Sequence, residues 1–144
     1  EERVLNAPAY AGRAFGRVFR YAVTALIAVW MLAGGVAHMM MPAPFLRVVP
    51  DPLPGYAVVY ISGLVEICIG VAVLLPRLRP FAALAFSVLC AAFLPLHLWD
   101  FVRPDPIFQP PVQAGIRCLV QLVLIGLGWQ LWRTSRHSRQ PGKD

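Results

Sequence analysis

Residues Tyr21–Leu46 read YAVTALIAVWMLAGGVAHMMMPAPFL and contain no Asp, Glu, Lys or Arg. The hydrocarbon core of a bilayer, about 30 Å thick, is crossed by a helix of about 20 predominantly apolar residues. This stretch is long enough to do that, and Pro42 with Pro44 stops the helix where it should leave the core. Working outward, the same test finds three more spans. One runs from Tyr56 to Leu75, opened by Pro52, Pro54 and Gly55, closed by Pro76, and charged only at Glu66. The next lies between Arg79 and Asp100 and carries His97, and the last follows Pro110 and Pro111, a pair suited to a helix start, and ends near Trp132. The expected spans are therefore about 21–41, 56–75, 81–99 and 112–132, with a basic segment over about 1–20 and a basic tail over about 133–144.

Composition agrees with that division. The chain is 58% hydrophobic and only 14% charged, whereas soluble domains run nearer half apolar and a quarter charged. So many large apolar residues exclude a disordered chain. The net charge of +6 is gathered in tails and links rather than along a folded stripe, which reads against nucleic acid as a partner and for a lipid bilayer. Long runs without alternation exclude a β-barrel. The first span is too long, and lacks the small-residue site that follows, for a cleaved signal peptide. Of the 14 prolines, all but Pro95 fall outside the expected spans; Pro95 should leave the Ala91 carbonyl without its usual donor, so that a polar group or water must compensate. The fold class is all-α: an integral membrane, antiparallel four-helix bundle with short links.

The basic residues set an expected orientation. Arg3, Arg13, Arg17 and Arg20 precede the first span, Arg77 and Arg79 link the second and third, and Arg133, Arg136, Arg139 and Lys143 follow the fourth, while Arg47 and Arg103 stand on the opposite side. The positive-inside bias then puts both termini in the cytoplasm. Tyr21, Tyr56, Trp99, Trp129 and Trp132 lie near span ends, as interfacial anchors do. Before Tyr21, the alternation of Val4, Leu5, Tyr10, Phe15, Val18 and Phe19 with Arg13, Arg17 and Arg20 fits either an interfacial amphipathic helix or a frayed basic tail. The chain opens at Glu1 without an initiator Met, and residues are expected upstream of it.

The polar groups retained inside the spans fall in one half of the membrane. His38 is near the outer end of the first span, Glu66 is about 15 Å down the second at 1.5 Å per residue, and His97 and Asp100 end the third. Arg117 and Gln121 are one turn apart and share a face of the fourth. An isolated charge at the bilayer centre costs at least about 2.5 kcal/mol, so Glu66 should face the bundle interior, protonated or paired with Arg117. Ser62, Gly63 and Gly70 make its helix face small and open to close approach. The expectation is an outward-open ligand pocket built by Glu66, Arg117, Gln121, His38 and His97, with Tyr60 and Asp100 at its rim. Blander readings stand beside it: Glu66 with Arg117 as an ion pair that sets helix register, His38 and His97 as interfacial caps, and Arg117 snorkelling to head groups.

Other chemistries find little support in the spacing. His38 followed by Met39, Met40 and Met41 offers donors that suit Cu(I), but adjacent helix residues point in different directions, which reads against copper. His38 and His97 at similar depth on helices one and three give haem only a weak bis-His claim. Cys68, Cys90 and Cys118 sit in different spans and read as buried, inert packing residues. No phosphate loop, zinc motif or Ser nucleophile motif occurs, so no metal site is assigned.

The stretches GVAHMMMPAPFLRVVPDPLP (35–54), VYISGLVEICIGVAVLLPRLRPFAALA (59–85) and FLPLHLWD (93–100) resemble the DoxX family of small four-span membrane proteins, over roughly residues 22–132. The second span carries most of the likeness, through Tyr60, Ser62, Gly63, Glu66, Gly70 and the exit at Pro76, Arg77 and Arg79. His38 with its following prolines resembles the family's first span, and Arg117 with Gln121 its last. The resemblance implies a protein of the bacterial inner membrane. It also implies association with redox proteins, since the family takes its name from a subunit of a thiosulfate:quinone oxidoreductase. The leading expectation is a small membrane subunit of a quinone-linked redox system, whose outer-half pocket would hold a quinone-like molecule or a lipid head group. Other membrane or redox proteins, or further copies of the chain, are its expected partners. Two alternatives remain. One is a structural accessory subunit that uses lipid-facing aromatics such as Trp30 and Phe86 in protein contacts. The other is an enzyme on a lipid-soluble substrate with Glu66 and a histidine as acid and base.

Overall fold

The structure, a computed structural model, describes residues 7–137, with side chains over 12–136. Arg3, Val4, Leu5, Arg139 and Lys143 lie outside the described residues, as does the side chain of Tyr10. The described residues are helical without a strand: α1 Ala7–Met40, α2 Ala43–Leu46, α3 Gly55–Leu74, α4 Arg79–Trp99 and α5 Pro111–His137. The long helices α1, α3, α4 and α5 are each long and apolar enough to cross a membrane. Their bounds follow the sequence punctuation closely in the middle of the chain and less so at its ends.

Helix α1 has 34 residues, roughly 51 Å at 1.5 Å per residue, and so exceeds the hydrocarbon thickness. The segment before Tyr21 is accordingly neither frayed nor separate from Ala7 onward. It is the first turns of the same helix, with Phe15 and Val18 turned outward at 74% and 67% exposure. At the turn after α3, Arg79 reaches back and donates from Nε to the Val73 carbonyl at 3.1 Å. A cation there satisfies a terminal carbonyl and complements the helix dipole.

Helix α1 packs on α3 and α4 on α5, and the two pairs meet chiefly through α3 and α4. The α1–α3 seam is built from glycines. A Cβ on Gly35 would stand 2.6 Å from the Gly63 carbonyl, one on Gly63 would stand 2.6 Å from His38 Cβ, and one on Gly70 would stand 2.8 Å from Leu32. Only hydrogen in place of a side chain lets the backbones come this close. In the second seam, Gly128 lies against Ser87, Phe86 and the Ala83 carbonyl, and Ser87 donates to the Ile125 carbonyl at 3.1 Å.

Between the seams the core gathers Val23, Ile27, Met31, Ile69, Val73, Ala83, Phe86, Leu124 and Leu131. Phe86 is wholly buried here, which corrects its assignment to the lipid-facing surface; its ring fills the space that Gly128 leaves. Trp30, by contrast, is 47% exposed. Of the three free cysteines only Cys90 is buried, and Cys68 is exposed, because it lies on the face of α3 turned away from α1.

Candidate functional site

Helix α3 lays Glu66 into the glycine seam. The residue is 4% exposed, and its carboxylate lies against Gly34 of α1, where a Cβ would stand 2.7 Å from Oε2. One turn further along α1, His38 places Nδ1 3.3 Å from the same Oε2, although the ring is not aligned for a hydrogen bond to it. Phe45 of α2 lies edge-on against the imidazole at 3.9 Å between centroids. Pro42 and Pro44 turn the chain back directly after α1, and that reversal sets Phe45 over His38. The sequence holds the signal for the reversal in those prolines, but nothing in it marks Phe45 as the cover.

The expected partnership of Glu66 with Arg117 is not formed. Glu66 stands against His38, and an exposed pair joins Arg47 to Asp105 at 3.7 Å. Arg117 instead places its guanidinium 4.1 Å from the Phe108 ring centroid. Phe108 is held there by Asp100, whose carboxylate accepts the backbone N–H groups of Ile107 at 2.7 Å and Phe108 at 2.9 Å. His97 lies one turn before Asp100 at the end of α4, and Arg117 meets them from α5 through the Phe108 that Asp100 holds. Buried carboxylates are tolerable when donors surround them in this way. The loop after α4 is further fastened by Arg103, which donates to the Arg47 carbonyl at 3.1 Å and stacks over Trp99 at 4.7 Å.

Gln121 is buried between the two groups, and its Nε2 donates to the Cys90 carbonyl at 2.7 Å. This ties α5 to α4; the carbonyl that Pro95 deprives of its helical donor is the neighbouring one, on Ala91. Ser62 donates to Val59 in its own helix at 2.9 Å and not to Glu66. Tyr60 stacks on Tyr56 at 6.3 Å and is 41% exposed, so it belongs to the outer surface of α3.

The seven expected ligand residues thus separate. His38 and Glu66 form an interior acid–base pair, Asp100, Arg117 and His97 form a group where α4 ends and α5 begins, Gln121 braces α4, and Tyr60 stands apart. The two histidines belong to different groups, which does not set them as facing axial ligands. Among the described residues no three His, Cys, Asp or Glu side chains converge as a metal site. A groove of about 390 Å³ lies elsewhere, on α5, lined by Gly126, Trp129, Gln130, Arg133 and Thr134.

No curated protein and no solved structure matches the chain. One family does, over residues 27–132, a range that takes in every residue of both polar groups. The chain belongs to that family, described as Domain of unknown function (DUF8561).

Proposed function

We propose that the protein is a DoxX-like, four-span subunit of the bacterial inner membrane that serves a quinone-linked redox system. In this reading the His38–Glu66 pair is the polar centre of a site for a quinone-like molecule or a lipid head group. The helices run antiparallel, with both termini in the cytoplasm. Descending register supports the antiparallel order: Leu32 meets Gly70 while Gly35 meets Gly63, and Gly128 meets Ala83 while Gln121 meets Cys90. The gathering of basic residues at the α1 start, the α3–α4 turn and the α5 end supports the orientation.

The observation that carries the functional reading is the 3.3 Å contact between a buried carboxyl and an imidazole at membrane depth. A carboxyl and an imidazole can each carry a proton and present it to a carbonyl or phosphoryl oxygen, which is the chemistry a quinone or head group asks of its site. Gentle purification followed by mass spectrometry of bound small molecules and co-purifying proteins tests it. The wild type should carry a ligand or stoichiometric partners, and Glu66→Gln should reduce the bound ligand. A lone, ligand-free chain would remove the proposal.

The same contact also favours the enzyme reading, in which Glu66 and His38 act as acid and base on a lipid-soluble substrate. A conversion assay in which Glu66→Gln keeps the full rate would remove that reading.

A further inference from the structure

We propose that the C-terminal end of α5 is a binding site for the phosphodiester head group of an anionic phospholipid. The groove there, about 390 Å³, is lined by Gly126, Trp129, Gln130, Arg133 and Thr134, residues whose spacing puts them on one face of α5. Nothing lies within 4 Å of where a Cβ on Gly126 would stand, so the apolar end of the groove is a notch with room for an acyl chain. At the polar end stands Arg133. Trp129 packs on Trp132 at 4.4 Å, and Arg136 lies 4.7 Å over Trp132, so the aromatic pair holds a second guanidinium beside the groove. The Thr134 hydroxyl donates to the carbonyls of Gln130 and Leu131, which leaves Arg133, Arg136 and the Gln130 amide as donors to an incoming phosphate.

Depth and charge both select this ligand. Arg133 is roughly 33 Å along the axis from Pro111, about one hydrocarbon thickness, which sets it at the level of lipid phosphates with Gly126 roughly 10 Å deeper among the acyl chains. No Asp or Glu occurs from Pro106 through Lys143, so helix α5 brings no carboxylate of its own to these arginines. At the other end, Arg47 has Asp105. A second copy of the chain in the same orientation would set arginine against arginine here, because the carboxylates among the described residues stand at the opposite end or, in Glu66, in the interior. Basic residues at this level attract anionic lipid.

This rests on the membrane reading above but not on any ligand at His38 and Glu66. The test is native mass spectrometry of the full chain in mild detergent, with phosphatidylglycerol or phosphatidylcholine of matched acyl chains added. Phosphatidylglycerol should be retained over phosphatidylcholine, and retention should fall about fivefold for each of Arg133→Gln and Arg136→Gln. Arg47→Gln, the same charge change at the opposite end, should leave it unaltered, and Gly126→Leu should lower it by filling the notch without touching charge. Equal retention of the two lipids, retention unchanged in the double arginine variant, indifference to Gly126→Leu, or a two-chain mass without lipid would each overturn the site. Helical circular dichroism of each variant separates loss of binding from loss of fold.

Discussion

A glutamate in a membrane span needs a partner, and the choice of partner is decided at the resolution of a single side chain. Position along the sequence gives depth at 1.5 Å per residue, which is enough to place Glu66 near the midplane. Rotation about the helix axis comes from packing, and packing gives Glu66 to His38 while Arg117 goes to Phe108. Replacing His38 with Leu should therefore destabilise the α1–α3 seam by about 0.6–1.7 kcal/mol, the range of polar interhelical contacts in membranes, measured as a lower midpoint of unfolding in mixed detergent. Arg117→Leu should leave that seam intact. Gly63→Leu is the more severe change, because the backbone of α1 is already in contact there; about 1–3 kcal/mol is expected from the same measurement. Thiol labelling offers a cheaper check of rotation. Cys68 should react with an apolar maleimide in detergent micelles and Cys90 should not, since only Cys90 is buried.

Helices and their connections were legible to different degrees. Gly55, Pro76, Arg79 and Pro111 punctuate the chain strongly enough that α3, α4 and the start of α5 fall within a residue or two of their expected positions. The start of α1 was harder, because Arg13, Arg17 and Arg20 break the apolar run without breaking the helix. Arginine is a good helix former, so hydropathy ends where helicity does not. The connection after α4 was not legible at all. Asp100 looks like a charge at a span end, yet it gathers the N–H groups of Ile107 and Phe108 into a compact loop. Asp100→Ala should leave those two half-buried donors without their acceptor, at about 0.5–1.5 kcal/mol each because water can reach them. The expected signature is faster hydrogen exchange at the Ile107 and Phe108 amides with the protection of α4 kept. Arg47→Ala, which removes only a largely exposed pair, should cost at most about 1 kcal/mol.

For the molecule as a whole, the proposed orientation makes a clear demand on reporters. A fluorescent protein fused to the C-terminus should fluoresce, and an alkaline phosphatase fused there should stay inactive in intact bacteria. The same phosphatase inserted in the 101–110 loop should be active, and the opposite pattern would invert the topology. What the sequence by itself determined is the part governed by solvent preference. Four apolar runs, their proline boundaries and the exile of charge to the ends follow from the cost of placing polar groups in hydrocarbon, and that cost is paid residue by residue. Only the tertiary structure decided which polar groups meet, that Phe86 is interior, that Phe45 closes over His38, and that Tyr60 stands outside. Those outcomes depend on how far each helix is rotated and how closely glycines let two backbones approach, and both are properties of pairs of helices.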